Sequence, residues 1–327
     1  MKKLLALLLC VVMIAGMMAA CETVGEAPAA EGEKKLDYPK KTVEIIIPYA
    51  AGGGTDVMVR ALCAELPFTT MVTNIAGASA SIGTMEALHR DPDGYTILAH
   101  LPESMSCYVM NGTYTEPVDD LFVPICAPDI DPMCMVIGSN NGKFTNLEEL
   151  VAYATEHPGE VKWCATGTKS QNHMISAQTW TALGIDVTYV PFDSGSKSRA
   201  ALLGGNADIF VTQISEVAAY VQSGDMIPIM TYDANRSSIL PDTPTAEELG
   251  YEGLISVSHR GFLAVPGTPQ EIIDFFADAV KTVCDNPEFQ QKMRDLGYDP
   301  VYSTTEQIKE YQTNIKASFA EASKLVG

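Results

Sequence analysis

The sequence predicts an α/β protein with parallel sheets, and three observations carry that prediction. Short apolar runs of strand character alternate along the chain with amphipathic helical patterns. The first such pair, residues 43–66, joins strand to helix through Pro48-Tyr49-Ala50-Ala51-Gly52-Gly53-Gly54, a turn with three consecutive glycines. With 327 residues, the chain is long enough for one large or two ordinary domains with proper cores. Such alternation sets parallel strands side by side with helices as crossovers, and open sheets of this kind receive ligands beyond the carboxyl ends of their strands.

Taken from the N-terminus, Met1-Lys2-Lys3 gives a basic start, residues 4–18 an apolar run, and Met18-Ala19-Ala20-Cys21 a small-residue cleavage site. The pattern reads as a lipoprotein signal peptide over residues 1–20. Lipid joined to the Cys21 sulfur would then hold the mature protein at the outer face of a bacterial cytoplasmic membrane or in the periplasm. A membrane-spanning helix would need a longer apolar run with basic flanks. Residues 21–37 form a disordered tether, because Glu, Ala, Gly, Pro and Lys dominate there and leave too little apolar surface to order the segment.

The folded body starts near Tyr38-Pro39. Strands are expected at 43–47, 95–99, 133–137, 161–164, 187–190, 208–211, 227–231 and 261–265, each an apolar run bounded by turn formers. Helices are expected at 56–66, 81–90, 146–156, 171–183, 197–203, 215–223, 269–284 and 305–325, where apolar residues recur at helical spacing. The glycine turn lets several N–H groups converge where the next helix presents its own unpaired ones, a place for a small anion such as a carboxylate. The same residues serve equally as a plain strand-to-helix connection with Thr55 or Asp56 as cap.

A formal net charge of −20, more negative still once Lys2 and Lys3 leave with the signal, excludes binding to nucleic acid through a general basic field. An anionic ligand must be held by local dipoles and hydrogen bonds against that field. Cys10 is lost with the signal. Cys63, Cys107, Cys126, Cys134, Cys164 and Cys284 show no CxxC spacing and read as buried thiols, with no disulfide committed.

Tyr38-Pro39, VEIIIPYAAGGGTD (43–56), GASASIG (77–83), DPDGYTIL (91–98), ATGTKSQNH (165–173), VPF (190–192), LLGGNADIF (202–210), LPDTPTAEELG (240–250) and GFLAVPGTP (261–269) follow one another along the body. In this ordered set the chain resembles the substrate-binding receptors of tripartite tricarboxylate transporters, the TctC or Bug family, over nearly all of residues 38–327. The resemblance implies a two-lobed, type II periplasmic binding protein-like clamshell, each lobe a mainly parallel sheet flanked by helices. Lobe 1 would comprise 38–137 and 260–327 and lobe 2 138–259, with crossings near 137–139 and 257–260. It further implies a monomeric receptor without cofactor, metal or catalytic residue. Such a receptor captures a small carboxylate (a di- or tricarboxylate, amino acid or related organic acid) between the lobes and hands it to one large and one small membrane subunit. Docking of the loaded receptor onto a sensor kinase is the alternative output.

Carried over residue by residue, the resemblance places Tyr49, Ala51, Gly52, Gly53, Gly54, Thr55 and Asp56 on one ligand loop, with Gly77 and Ala78 on a second. The facing lobe offers Thr166, Gly167, Thr168, Lys169, Ser170 and His173, then Phe192, Asp193 and Ser194, with Asp208 and Gln213 nearby. The chain departs from the family's pattern where ligand identity is set. Ile75-Ala76 replaces an Arg-Pro, Ser81 an Asn, Phe192-Asp193-Ser194 a Tyr-Lys-Gly, and Lys169 a glycine. Asp193 could accept from a ligand amine or hydroxyl while Lys169 reaches a second acidic group; alternatively both point to solvent.

His173 reads as a hydrogen-bonded structural histidine, Arg260 as a solvated charge at the second crossing or, in a closed form, the partner of a carboxylate, and Met105, Met110, Met133 and Met135 as core filler. An enzyme reading would rest on Ser194-Gly195-Ser196-Lys197, the S-x-x-K spacing of a serine nucleophile beside its lysine base. None of the companion motifs of such hydrolases follows.

Overall fold

The computed structural model describes residues 36–78, 80–192 and 194–325. The expected signal peptide, Cys21, nearly all of the tether, and Asp193 therefore lie outside the described residues.

Two mixed sheets make up the body. The first begins with β1 (Val43–Ile47), whose Ile45, Ile46 and Ile47 are fully buried. A strand that is apolar on both faces belongs in the middle of its sheet, covered above and below. It pairs in parallel with β2 (Thr70–Asn74) and β3 (Thr96–His100), reached through α1 (Gly54–Cys63) and α2 (Ser81–Leu88). Next come α3 (Pro102–Met110), the single turn α4 (Val118–Leu121) and β4 (Val123–Ala127).

The second sheet opens with β5 (Ile130–Gly138). It continues through α5 (Leu147–Glu156), β6 (Lys162–Ala165), α6 (Gln171–Leu183), β7 (Thr188–Tyr189), α7 (Gly195–Leu203) and β8 (Ile209–Gln213). A 3-10 turn (Ile214–Glu216), α8 (Ala218–Gln222), β9 (Met226–Thr231) and β10 (Val257–His259) complete it. β6 is parallel to β7 and β8, whereas β5 runs antiparallel to β8, β9 and β10. Successive side chains of β5 go to opposite faces. Met133, Met135 and Ile137 join Leu150 and Trp163 in one core, while Cys134 and Val136 join Leu202 and Phe210 in the other.

β11 (Gly261–Ala264) returns to the first sheet, inserted antiparallel between β3 and β4. α9 (Gln270–Cys284), α10 (Pro287–Asp295), the short β12 (Ser303–Thr304) beside β4, and α11 (Thr305–Ala322) finish the chain. Each sheet thus keeps a parallel core, β2-β1-β3 or β7-β6-β8, and takes antiparallel strands where the chain changes sheets. The architecture is α/β and two-lobed, as the sequence leads one to expect.

The first change of sheet falls at Pro128-Asp129, not at 137–139. Residues 123–137 are apolar apart from Asp129 and Asp131, and the chain divides at Pro128-Asp129 into β4 in one sheet and β5 in the other. The second falls at Arg260, between β10 and β11. α11 packs across both lobes: its Ile315, Phe319 and Ala322 meet Cys107 of α3 and Met174 of α6, and Gln178 of α6 donates to Ser318. A capping box of Thr304 and Gln307 starts this helix. The six cysteines of the body are free thiols. Among the described residues no helix is long and apolar enough to cross a membrane.

Gly83, in the first turn of α2, lies so close under β1 that a Cβ there would overlap the Ile75 carbonyl and stand 2.9 Å from Pro48 Cα. Both obstacles are backbone and cannot swing away. Gly83→Ala should destabilise the fold by roughly 1–3 kcal/mol in urea unfolding; an unchanged midpoint would mean that α2 is not seated this closely.

Candidate functional site

The β1–α1 turn has Gly52 in the left-handed region (φ +79°) and Ala50, Ala51, Gly52 and Gly53 exposed. Its shape is fixed from within by Asp56. One oxygen of this buried carboxylate accepts from the Gly52 N–H at 2.8 Å, and the other from Arg60 Nε at 2.9 Å and Asn74 Nδ2 at 3.0 Å. Burial alone would raise the Asp56 pKa, but these bonds hold it below the usual carboxylate value. Asp56 is therefore an internal anion that shapes the turn, not a group offered to a ligand. Past it, α1 begins with no side-chain cap, and its first intrahelical bond comes from Val57 N–H to the Gly53 carbonyl. The N–H groups of Gly54, Thr55 and Asp56 have no bonding partner among the described residues. Open donors at a positive helix end suit an anion.

Beneath the turn, the Tyr49 hydroxyl lies 3.2 Å from His100 Nδ1, to which the Leu101 N–H also donates. Burial pushes the His100 pKa down to about 3, so the ring is neutral. Its buried Nε2 has no partner among the described residues. The second loop of this lobe carries Gly77 at φ +137° and two alanines, Ala78 and Ala80, at +44° and +70°. L-residues occupy that region at a cost, which marks the loop as strained.

On the other lobe, the loops after β6 and β7 are joined by a bridge between Thr166 and Phe192 and by the Gly167 N–H donating to the Phe192 carbonyl at 3.0 Å. Ser170 caps α6 and Ser194 caps α7, each accepting from a backbone N–H three residues on. The S-x-x-K serine is thus a helix cap. Lys169 holds φ +57°, and its carbonyl accepts from Asn111 Nδ2 and Cys107 Sγ of α3, tying this loop to the first lobe. Thr168 is exposed beside it. His173 Nδ1 accepts from the Lys169 N–H and its ring stacks on Tyr189 at 4.2 Å. Burial, helped by the Lys169 charge, lowers its pKa to about 4, which leaves it a neutral structural residue.

The two lobes meet at Arg260. This side chain is 3% exposed, against the expectation of a solvated charge. It binds Asp129 at 2.9 Å, Asp131 at 2.6 Å and Ser215 Oγ at 2.8 Å, with the Tyr298 ring 5.1 Å away. The Tyr298 hydroxyl in turn donates to the Gly54 carbonyl at 2.8 Å. A side chain on Gly54 would meet Arg260 Nη2 at 3.1 Å and Glu216 Oε1 at 3.5 Å; one on Gly195 would meet Thr166 Oγ1 at 3.4 Å and Glu216 Oε2 at 3.6 Å. The start of α1, the start of α7 and Glu216 therefore face one another across the lobe boundary. Next to Arg260, His259 Nδ1 sits 2.6 Å from Glu103 of α3, in a second buried pair.

Of two other expected site residues, Asp208 stands elsewhere and Gln213 lies at the carboxyl end of β8. Asp208 precedes β8 and accepts from Lys143 Nζ and the Lys162 N–H, at the end of the strands opposite to the loops above. Gln213 is taken up by Asn172, Thr212 and Ser258 near the second crossing. Sequence reading missed Glu216, Arg199, Asp129, Asp131 and Glu103. One signal was present: Asp129 and Asp131 interrupt an apolar stretch, and a buried carboxylate needs a cation, which His259-Arg260 supplies from within another apolar stretch. A cavity of about 520 Å³ lies on another face, lined among others by Asp233, His259, Asp299 and Tyr311, and includes none of the expected site residues. No group of three or more His, Cys, Asp and Glu that could hold a metal ion forms among the described residues.

A family model described as "Tripartite tricarboxylate transporter family receptor" matches residues 56–321. A Cupriavidus necator protein, "UPF0065 protein in gbd 5'region", is 27% identical over 302 residues, covering 91% of each chain. Among solved structures, the periplasmic binding protein BugD is 26% identical with a TM-score of 0.70, covering 88% of this chain and 97% of its own. The R. palustris protein Rpa4515, solved with adipate, is 21% identical with a TM-score of 0.78, covering 89% and 99%.

The junction has a pH signature. Asp129 shares one guanidinium with Asp131, and burial, opposed by Arg260, pushes its carboxyl up to about 7. A carboxyl that titrates higher folded than unfolded stabilises fully below its unfolded pKa of about 4, and that contribution is lost as pH rises through the folded value. The melting temperature of the wild type should therefore fall more between pH 4 and pH 7 than that of Asp129→Asn, which keeps the acceptor for Arg260 without the charge. Parallel profiles for the two proteins would show that Asp129 is ionised throughout.

Proposed function

Because the chain belongs to the tripartite tricarboxylate transporter receptor family, we propose that it is the extracytoplasmic receptor of such a carrier, anchored through Cys21. It captures a small carboxylate between its lobes and delivers it to a large and a small membrane subunit. The observation that carries the reading is the uncapped start of α1, where Gly54, Thr55 and Asp56 present free N–H groups toward the facing lobe. Hydrogen bonds from such donors to a carboxylate strengthen as the approaching lobe expels water. Lobe 1 then comprises 39–128 and 261–327 and lobe 2 129–259, with Arg260 between them. Closure follows from the ligand binding the closed arrangement better than the open one. The adipate in Rpa4515 is an example of the ligand chemistry this reading expects.

The test is a thermal-shift and calorimetric screen of the mature protein against mono-, di- and tricarboxylates and amino acids, since a bound ligand raises the melting temperature by mass action. Gly54→Ala, whose methyl would fill the gap between α1, Arg260 and Glu216, should abolish binding with the fold intact. Thr55→Val, which removes one hydroxyl beside the open donors, should weaken binding by roughly 1–2 kcal/mol. Asp208→Ala should leave affinity unchanged. Full affinity in Gly54→Ala would place the site elsewhere.

A further inference from the structure

Glu216 ends the 3-10 turn at the carboxyl end of β8, and its carboxylate is held in one orientation. Arg199 Nη1 donates to its Oε2 and to its own carbonyl oxygen, both at 3.0 Å, while the Arg199 guanidinium lies over the Tyr220 ring at 5.3 Å. The other oxygen, Oε1, has no partner among the described residues. It is the oxygen nearest Gly54, where the free N–H groups of α1 begin.

A carboxylate bound to those N–H groups would have a fixed anionic oxygen beside it. No spare arginine charge offsets that repulsion: Arg199 is committed to Glu216, Arg260 to Asp129 and Asp131, and Arg60 to Asp56. A ligand that carries an ammonium group next to its carboxylate resolves the conflict. Its anionic end meets the helix donors, and its cationic end meets Oε1 in a charge-assisted hydrogen bond. An acid lacking the amine leaves two negative oxygens facing each other, so Glu216 acts against it as well as for its rival.

We propose that Glu216 is the specificity-determining residue of the cleft and that it selects α-amino acids over the corresponding acids without an amine. This rests on the receptor reading above and names the ligand class of that same site.

Calorimetry of the mature protein with three matched pairs tests it: L-aspartate and succinate, L-glutamate and glutarate, L-alanine and propionate. In the pair whose skeleton fits, the amine-bearing member should bind about tenfold tighter or more, the scale of one charged hydrogen bond. Glu216→Gln should erase that preference, weakening the amine-bearing member about tenfold while its counterpart, freed of the repulsion, binds more tightly. Glu216→Asp, which keeps the charge but draws it back from Gly54, is the second variant and should narrow the preference. The inference fails, and the receptor reading survives, when the amine-free acid binds as tightly to the wild type or when Glu216→Gln weakens both members alike. If no carboxylate of any kind binds, both fail together.

Discussion

The Arg260 guanidinium is the constraint on which the arrangement of the two lobes depends. It stands at the second change of sheet and holds Asp129 from the first change and Asp131 from the start of β5, so a single cation ties both connecting segments together. A buried triad of this kind adds little net stability, because desolvating its charges costs about as much as their attraction returns. Its effect is on geometry: removing one partner would strand a charge in a dry place, so no other packing of the segments competes. Through Tyr298 and Gly54 the same guanidinium reaches the start of α1. The position of the open helix end relative to the facing lobe is thereby coupled to the position of the connecting strands.

The glycine turn illustrates how a helix start is kept clear of the protein's own groups. Four residues on from Gly52, Asp56 occupies the Gly52 N–H at the back of the turn, and Arg60 and Asn74 hold it there. With that carboxylate turned inward, the first-turn donors of α1 remain free at the front. On the other lobe Ser170 and Ser194 each take up one first-turn donor of α6 and α7. The two lobes are thus unequal. One presents an uncapped helix start and the other two serine-capped ones, and of the side chains on that second lobe Glu216 comes nearest to Gly54.

What could be read from the sequence follows the range of the interactions involved. α6 is recovered residue for residue, because Ser170 and Gly184 bound it and both act locally. The strand β2 went unseen because its Thr70–Asn74 segment is polar, half-exposed and at a sheet edge, so it has no alternation to detect. The division between β4 and β5 is faint for the opposite reason, since both are buried and largely apolar and only Pro128-Asp129 separates them. α3 read as methionine filler because it is buried on most sides and carries little helical asymmetry. In the site, the loops rich in glycine, serine and threonine were legible as loops at strand ends. The pairs His259–Glu103, Arg260–Asp129 and Arg199–Glu216 were not, since each depends on segments brought together by the fold.

The strong negative charge of the chain bears on how an anion could be drawn to such a cleft. A long-range field of this sign slows the approach of an acid rather than steering it, and the cleft arginines, each matched by its own carboxylate, do not reverse the field locally. Attraction is then confined to the few ångströms over which the dipoles of unpaired N–H groups act, and it strengthens only when water has left. A receptor built this way would gain its selectivity at short range, from where each donor and each fixed oxygen sits. A ligand with both signs of charge loses least to the outer field, because its net charge is small while its local charges remain.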